Sequence, residues 1–391
     1  MNIPFARRTQ WALSPNKLIS ALDELKNADT PIIDLTQSNP SRCEFTSINK
    51  DLLPALNNTD NLSYEPSPRG SLKAREAVCQ YYQTKNISIN SEQVFLTSST
   101  SEVYTYLFRL LADAHDHVLF PRPSYPLFPF LVDINDLVMD TYPLVYADGW
   151  RLDVDQLERE VTSKTKAVVL VNPNNPTGSF IHKDELKKLN DVCQKYNLAI
   201  ISDEVFYDFA FDDGHYVSLA NHHDGLTFSL GGLSKTLGLP QMKLAWIIVN
   251  GPQATVDQAV ERLEVIADTY LSVNTPVQNA LSVWLSKCNQ IQQEIKTRVR
   301  LNLEYLSKMA GSVSQCQLLK SQGGWYAVVK ISDAIDEEEL ALTLLKEDHV
   351  YVHPGYFFDF DEGAHLIISL LPKADVFQEG IKLILDRMDK N

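Results

Sequence analysis

The sequence predicts an α/β protein that has a large domain built on a mostly parallel sheet and a smaller α+β domain. Short apolar runs rich in branched and aromatic residues alternate with amphipathic segments through the middle of the chain, as strands alternate with helices in a parallel sheet. The length of 391 residues also exceeds what one hydrophobic core usually supports. We expect an N-terminal arm and part of the small domain at residues 1–48, the large cofactor-binding domain at 49–285 and the small C-terminal domain at 286–391.

The large domain contains six runs with the length and composition of buried strands. The predicted strands are Val94–Thr97, His117–Phe120, Ala167–Val171, Ala199–Ser202, Thr227–Leu230 and Ala245–Val249. The clearest helices between them are Val103–Leu111 and Lys183–Tyr196, and Asp184 is the expected cap of the second helix. Ligands of such sheets bind at the carboxyl ends of the strands, so the polar residues that follow these strands are candidate site residues.

From about residue 290 the pattern changes to that of a separate α+β unit. A long charged helix is predicted at Gln292–Met309 and a closing helix near Val376–Met388. Between them, short strands are predicted at Trp325–Val329, His349–Val352 and Leu366–Leu370. No linker is long enough to let the two parts move independently.

Charge and composition exclude several classes of function. The formal net charge of -15 would repel the phosphates of nucleic acid and anionic lipid alike, so we expect neither a nucleic acid nor a membrane as partner. The five cysteines are scattered and have no metal-ligand spacing, so we expect no metal and reduced thiols. Because the N-terminus lacks an apolar leader and no apolar run reaches about 18 residues, we expect a cytoplasmic protein.

A hydroxyl-rich turn follows the first predicted strand. Residues 97–102, with the sequence TSSTSE, lead into the helix Val103–Leu111. The N-terminus of a helix offers free backbone N–H groups and the positive end of the helix dipole to a phosphate. Serine and threonine there are also ordinary helix caps, so this segment alone leaves both interpretations open.

Two further strands end in polar residues at the same expected edge. Residues 172–178, NPNNPTG, form a proline-rich turn that places an asparagine amide there. The next strand ends in Ser202-Asp203-Glu204. A carboxylate at that edge can hold a protonated ring nitrogen, although it can equally cap the helix that follows.

The fourth segment, residues 229–246, carries Lys235 in glycine-flanked and largely apolar surroundings. Such surroundings disfavour the ammonium form and favour the nucleophilic amine, which forms imines. Taken alone, a lysine is nearly always a solvated surface group. The order and separation of all four segments therefore decide the interpretation.

Together the segments resemble the fold-type I pyridoxal phosphate enzymes of the class I/II aminotransferase family. The resemblance extends from Leu35–Pro40 through Tyr64–Gly70 to His353-Pro354-Gly355. It implies an aminotransferase-like fold and pyridoxal 5′-phosphate as cofactor. It also implies that Lys235 holds the cofactor as a Schiff base and moves the proton of the substrate, while Asp203 keeps the pyridine nitrogen protonated.

The resemblance assigns the remaining cofactor ligands one by one. Asn175 matches the amide that hydrogen-bonds the phenolic oxygen of the ring, and Tyr125 matches the aromatic residue that stacks on the ring. Tyr64, and more loosely the segment Ser272–Pro276, match residues that reach the site of a neighbouring subunit, which implies a homodimer with shared active sites. The residues that match phosphate ligands are Ser99, Thr100, Ser101, Ser234 and Lys243.

Three positions depart from the family pattern. Lys243 stands where an arginine usually clamps the phosphate, so the charge is kept but the two-pronged contact is lost. Phe206 replaces a tyrosine that donates to the phenolic oxygen, and Tyr207 beside it is expected to point elsewhere. Ile367 stands where an arginine usually binds the α-carboxylate of the substrate.

Another cation must take the carboxylate, or the substrate lacks one. Asn39, Arg42 and Arg69 are the substrate-binding candidates, and Arg8 is a further cation on a segment expected near the site. Arg42 can also be a surface residue, and Arg69 can pair with a nearby acid. His353 is expected to be a packed loop residue rather than a general base.

The leading expectation is an aminotransferase that moves an amino group between an amino acid and a keto acid, with an atypical carboxylate site. Its partners are then a small-molecule amino donor and a keto acceptor. Because fold and cofactor alone do not fix the reaction, a lyase or decarboxylase on the same fold is the first alternative. A non-catalytic cofactor-binding regulator is the second, and the presence of both Lys235 and Asp203 argues against it.

Overall fold

The structure, a computed structural model, describes residues 3–212, 214, 216–271 and 273–389. The strands, in chain order, are β1 Ile33–Asp34, β2 Val94–Thr97, β3 His117–Arg122, β4 Val138–Tyr146, β5 Trp150–Leu152, β6 Thr165–Val171, β7 Ala199–Asp203, β8 Thr227–Gly232, β9 Ala245–Asn250, β10 Cys316–Leu318, β11 Tyr326–Ile331, β12 Val350–Tyr351, β13 His353–Pro354 and β14 Ala364–Ser369. The helices are α1 Lys17–Asn27, α2 Leu72–Gln83, α3 Thr100–Leu111, α4 Phe128–Asp133, α5 Val154–Glu160, α6 Lys183–Tyr196, α7 Leu233–Thr236, α8 Gln253–Tyr270, α9 Thr275–Ser286, α10 Cys288–Ala310, α11 Glu337–Glu347 and α12 Ala374–Met388.

Within the described residues, the large sheet has the strand order β2-β9-β8-β7-β6-β3-β4-β5. The pairs from β8 through β7, β6 and β3 to β4 are all parallel. Strand β9 runs antiparallel between β2 and β8, and β5 is antiparallel at the opposite edge. The predicted α/β fold with a mostly parallel sheet is therefore confirmed.

Both faces of the large sheet are covered by helices, because its strands are apolar on both sides. Alternate residues of β6 face different cores: Val169 packs in a core with residues of α3 and α8, and Val168 packs in another with residues of α5 and α6. Strands buried on both faces read as continuous apolar runs. That explains why the sequence predicted β6 to β9 so closely.

A four-stranded sheet with the order β10-β11-β14-β13 forms the centre of the smaller region, and its paired strands are antiparallel. Helices α10 and α12 pack together beside it. The N-terminal part of the chain joins this region, since β1 pairs with β12 and α1 packs on α11.

The structure corrects some details of the predicted elements. Helix α6 begins at Lys183 as expected, but Asp184 does not cap it. The carboxylate of Glu185 accepts from the backbone N–H of His182 instead, because Asp184 already lies inside the first turn, where it pairs with Arg151. The long charged helix begins at Cys288, four residues earlier than predicted. Strand β4 has no counterpart in the sequence prediction.

Candidate active site

The carboxyl edge of the large sheet brings the candidate segments together. Ala245 lies between Thr97 of β2 and Gly232 of β8 in the strand register. With about 4.8 Å between neighbouring strands, the turns that follow Thr97 and Gly232 start about 10 Å apart. Asp203, the last residue of β7, pairs with Val171, the last residue of β6, so the turns after β6 and β7 leave the sheet at this same edge.

Lys235 lies in α7, the single helical turn that follows β8, and its amine is in apolar surroundings. The Nζ atom lies 5.1 Å from the ring centre of Trp325 and 5.4 Å from that of Phe206. Burial lowers the pKa of Lys235 from 10.5 to about 8, and the negative charge of Asp203 opposes that shift. About a tenth of the amine is therefore uncharged at about pH 7, far more than in an ordinary lysine, and the uncharged amine is the form that imine formation requires.

Asp203 is a buried carboxylate with two hydrogen-bond donors from the chain. The backbone N–H of Val205 donates to Oδ1 at 3.2 Å, and the hydroxyl of Tyr104 donates to Oδ2 at 3.0 Å. Burial raises the pKa of Asp203 to about 6, while these two hydrogen bonds and the charge of Lys235 act in the opposite direction. The carboxylate is thus available as a partner for a buried cation.

The turn that follows β6 presents an amide without a partner. Asn175 is buried, and its Oδ1 atom has no hydrogen-bond partner among the described residues. Its neighbour Asn174 is fixed, because its side-chain amide donates to the carbonyl oxygen of Pro123 at 2.9 Å. A buried polar atom without a partner is rare in native proteins. The oxygen and nitrogen of a side-chain amide exchange places when the group is turned over, so Asn175 is suited to present its N–H to a bound ligand.

The same turn is joined to the smaller region through a pair of glycines. Gly178 has φ +70°, and a Cβ atom there would lie 2.3 Å from the carbonyl oxygen of Gly323, so only glycine fits. The backbone N–H of Gln322 donates to the carbonyl oxygen of Gly178 at 3.1 Å. The side chain of Gln322 also accepts from the N–H of Phe180 at 2.9 Å. Gly323 immediately precedes the segment that places Trp325 beside Lys235.

The two tyrosines of the predicted cofactor site have different environments. Tyr125 is 39% exposed and packs edge-to-face on Phe128 with ring centres 5.7 Å apart. Partial burial and the negative charge of Asp203 raise the pKa of Tyr125, which places its ring near that carboxylate. Tyr64 is 73% exposed on the surface of the subunit.

The expected phosphate ligands lie on turns at the carboxyl edge of the sheet. Ser99 is the N-cap of α3, and its hydroxyl accepts from the N–H of Glu102 at 3.2 Å. Thr100 and Ser101 form the first turn of that helix, and Ser234 lies beside Lys235. An additional positive charge comes from Lys243, which is exposed just before β9.

Ile367 belongs to an apolar cluster that includes residues of the four-stranded sheet and of β5. It is fully buried in β14 and packs in a cluster with Trp150, Leu319, Val328 and Phe358. An unpaired carboxylate would be strongly destabilised in such surroundings. This part of the molecule therefore offers no binding place for a charged group.

The four candidates for substrate binding differ in what they contact. The guanidinium of Arg69 pairs with Glu92 and Glu264, as the alternative interpretation of this residue expected. Arg8 pairs with Asp136. Asn39 caps a short helical turn by accepting from the backbone N–H of Ser41 at 3.1 Å. The fourth candidate, Arg42, is exposed and makes no ion pair with any described residue.

Two residues near the catalytic groups were not identified from the sequence. Tyr104 donates to Asp203, and Trp325 lies against the Lys235 amine. Aromatic residues at helical or strand spacing usually indicate a core, so the sequence held no signal for either contact. Ser272, at the start of a segment expected near the partner subunit, lies outside the described residues.

The arrangement fits pyridoxal 5′-phosphate. An amine with a lowered pKa, a buried carboxylate and a buried side-chain amide lie at one edge of the sheet, next to a helix N-terminus that carries hydroxyl groups. These are the groups needed to hold an aldehyde, a pyridine nitrogen, a phenolic oxygen and a phosphate. The fold and the site therefore define a pyridoxal phosphate enzyme of fold type I.

Comparison with known proteins gives the family. The model of aminotransferase class I and II matches residues 30–376, and the chain belongs to that family, whose members use pyridoxal 5′-phosphate. The glutamate-pyruvate aminotransferase AlaA of Haemophilus influenzae is 29% identical over 366 residues, which cover 91% of this chain and 90% of the relative. The alanine aminotransferase of Mycobacterium tuberculosis is 28% identical over 353 residues, covering 87% and 82%. The chain is a pyridoxal phosphate-dependent aminotransferase.

Solved structures share the fold. An aminotransferase from Escherichia coli superposes with a TM-score of 0.89 at 24% identity and covers 100% of this chain and 99% of its own. The alanine aminotransferase of Pyrococcus furiosus gives 0.89 at 24% identity, with 99% and 100% covered. In the described part of the chain, no helix is long and apolar enough to cross a membrane, and no group of three or more His, Cys, Asp or Glu side chains is placed to hold a metal ion.

Proposed function

We propose that this aminotransferase moves the amino group of an α-amino acid to an α-keto acid, with Lys235 and Asp203 as its catalytic residues. The observation that carries the proposal is the partly buried Lys235 amine, with its lowered pKa, beside the buried Asp203 carboxylate. The names of the relatives, glutamate-pyruvate and alanine aminotransferase, support alanine, glutamate and their keto acids as first substrates to test.

When bound, pyridoxal phosphate supplies an aldehyde that accepts the amine and a ring that accepts electrons from the α-carbon. Lys235 would be the nucleophile toward the aldehyde and the base that moves the α-proton. The negative charge of Asp203 would stabilise a protonated ring nitrogen. Asn175 would donate to the phenolic oxygen, and the ring of Tyr125 would stack on the cofactor ring.

The phosphate is assigned to the N-terminus of α3 and to the turn after β8. Its ligands are Ser99, Thr100, Ser101, Ser234 and Lys243. The single ammonium of Lys243 neutralises charge but lacks the fork geometry of an arginine, so we expect binding of the free phosphate group to be modest. The exposed ring of Tyr64 is available to a second subunit, which supports a homodimer with shared sites. Sedimentation of the purified protein tests that assembly.

The cation for the substrate carboxylate is assigned to Arg42. Of the three arginine candidates, Arg8 and Arg69 already pair with acids of the chain, whereas Arg42 does not. The segment that carries Arg42 lies against the turn after Lys235, because a Cβ atom at Gly238 would lie 3.0 Å from the Cβ atom of Pro40. The remaining candidate, Asn39, is placed to hold this segment in shape. We also propose that the protein is located in the cytoplasm.

The absorption spectrum of the bound cofactor tests the reaction. Adding an amino donor without an acceptor should convert the pyridoxal form into the pyridoxamine form, and a keto acid should reverse the change. A panel of α-amino acids and simple amines identifies the donor class. If carbon dioxide, ammonia or a keto acid is released without an acceptor, the protein catalyses a lyase or decarboxylase reaction and transamination is wrong.

Arg42→Ala tests the carboxylate assignment. Loss of a charge-assisted hydrogen bond costs about 1.5–3 kcal/mol, so the KM for an α-amino acid should rise about 10- to 100-fold. The KM for the corresponding amine without a carboxylate should not change. Arg300→Ala is the matched control, since Arg300 is an exposed arginine of α10 that pairs only with Glu304 among the described residues. An unchanged KM in Arg42→Ala would remove Arg42 from the site.

A further inference from the structure

The hydroxyl of Tyr104 is the only side-chain donor of the described residues that contacts the Asp203 carboxylate. It reaches Oδ2 at 3.0 Å, while the backbone N–H of Val205 reaches Oδ1 at 3.2 Å. Each carboxylate oxygen therefore has one donor from within the chain. The contact links α3, whose first turn is assigned to the phosphate, with β7, which ends in the carboxylate.

The ring of Tyr104 is held in one place by its neighbours. It is buried, lies edge-to-face with Phe128 at 5.4 Å between ring centres and is tilted against Phe108 at 5.7 Å. Side chains packed in this way occupy a single rotamer. The direction of the hydrogen bond to Asp203 is consequently set by the core and does not depend on any ligand.

The titratable groups around Asp203 determine how the hydrogen bond from Tyr104 affects the ionisation of this carboxylate. The groups that face the carboxylate are the phenols of Tyr104 and Tyr125 and the amine of Lys235. Burial and the nearby carboxylate raise the pKa of Tyr104 well above its ordinary value, so Tyr104 stays a donor at every working pH. A donor that is always protonated favours the ionised form of the acid it contacts.

We propose that Tyr104 is a positioning residue that orients the Asp203 carboxylate and keeps it ionised for the ring nitrogen of pyridoxal phosphate. The inference rests on the proposed role of Asp203. It adds a polar contact from outside the cofactor pocket, and it assigns to α3 a second task besides presenting its N-terminus to the phosphate. Tyr104 acts only through Asp203.

Tyr104→Phe removes the hydroxyl and keeps the ring. Loss of one hydrogen bond to a charged group should raise the pKa of Asp203 by about one pH unit. The quantity to measure is the ratio of the dissociation constant of pyridoxal phosphate in Tyr104→Phe to that in the unaltered protein. This ratio should be near one at about pH 8 and about 10 at about pH 5. Because protonation of Lys235 affects both proteins alike, this ratio isolates the effect on Asp203.

Tyr142→Phe is the matched control. Tyr142 is equally buried, and its hydroxyl donates at 2.7 Å to the carbonyl oxygen of Val169 in β6 and not to Asp203. This variant loses one buried hydrogen bond, but its ratio of dissociation constants should not vary with pH. Thermal unfolding of both variants verifies that they are folded.

Nitrogen-15 NMR of ring-labelled pyridoxal phosphate gives a second measurement. At about pH 6 the nitrogen should resemble a protonated pyridine in the unaltered protein and in Tyr142→Phe, and shift toward the neutral form in Tyr104→Phe. In the background of Asp203→Asn, removing the Tyr104 hydroxyl should have no further effect. If Tyr104→Phe behaves like Tyr142→Phe, the positioning role is wrong; if the unaltered protein binds no cofactor at Lys235, the proposed function itself fails.

Discussion

Replacing Lys235 by methionine measures what the partly buried amine costs the ligand-free fold. Its pKa falls from 10.5 in an exposed lysine to about 8 in the structure. At about 1.4 kcal/mol per pH unit, the ammonium form is roughly 3 to 4 kcal/mol less favourable in the folded protein than in the unfolded chain. Methionine has a similar length and no charge, so the variant should escape this cost.

The sign of the pH dependence follows from the two pKa values. Below about pH 8 the lysine is protonated in both states, so the folded protein bears the whole cost. Between about 8 and 10.5 the unfolded chain binds a proton that the folded protein does not, so the stability of the unaltered protein rises with pH. Above 10.5 both states are neutral and the cost is gone. The advantage of Lys235→Met should therefore be full at neutral pH and fade through this window.

Thermal unfolding of the cofactor-free proteins provides the assay. With an unfolding entropy of about 2.1 cal/mol/K per residue, 391 residues give roughly 0.8 kcal/mol/K, so a gain of roughly 3 to 4 kcal/mol raises Tm by about 4 °C. Lys243→Met, at an exposed lysine near the same edge, should change Tm by about 1 °C or less. If Lys235→Met is no more stable at neutral pH, or keeps its full advantage at about pH 10.5, the amine is not buried as the structure has it.

Two further substitutions test the packing around the site. Gly231→Ala should lower the free energy of unfolding by about 1–3 kcal/mol, because the added Cβ atom would overlap Nε1 of the buried Trp246. Gly225→Ala is the control, since a Cβ atom at Gly225 would have no neighbouring atom within 4 Å. Equal Tm values for the two variants would contradict the packing around Gly231. Ile367→Arg should destabilise the protein by several kcal/mol rather than create a carboxylate site, while Ile367→Val should cost about 0.5–1.5 kcal/mol. A soluble Ile367→Arg variant with a lowered KM for amino acids would contradict this expectation and show that position 367 faces the substrate.

Much of the fold follows from local pattern. Helix α6 has the predicted bounds Lys183–Tyr196, because its apolar stripe and its flanking turns agree. Strand β4 escaped prediction for the opposite reason. Asp140, Thr141 and Pro143 interrupt its apolar run, and the strand is stabilised by parallel pairing with β3 and antiparallel pairing with β5, which no local window contains.

The residues of the candidate site likewise include some that the sequence identifies and some that it does not. Lys235, Asp203 and Asn175 stand out because the order and separation of their segments, each of which follows a predicted strand, resemble those of the family. Tyr104 did not, since a tyrosine on the buried face of a helix is normally core and its distance to Asp203 depends on how α3 packs against the sheet. The ion pairs of Arg69 with Glu92 and Glu264 span up to 195 positions of the chain, and only the folded structure can show that this arginine is already occupied.

The contact between Gly178 and Gly323 has a mechanical consequence. Two backbones meet there without side chains between them, and hydrogen bonds from Gln322 and to Gln322 tie the loop of one region to the segment of the other. The amide of Asn175 and the indole of Trp325 stand on either side of this joint. While this joint is intact, the turn that bears Asn175 and the segment that bears Trp325 can move only together. The distance between the Asn175 amide and the Trp325 indole is therefore fixed by backbone contacts and does not depend on a bound ligand.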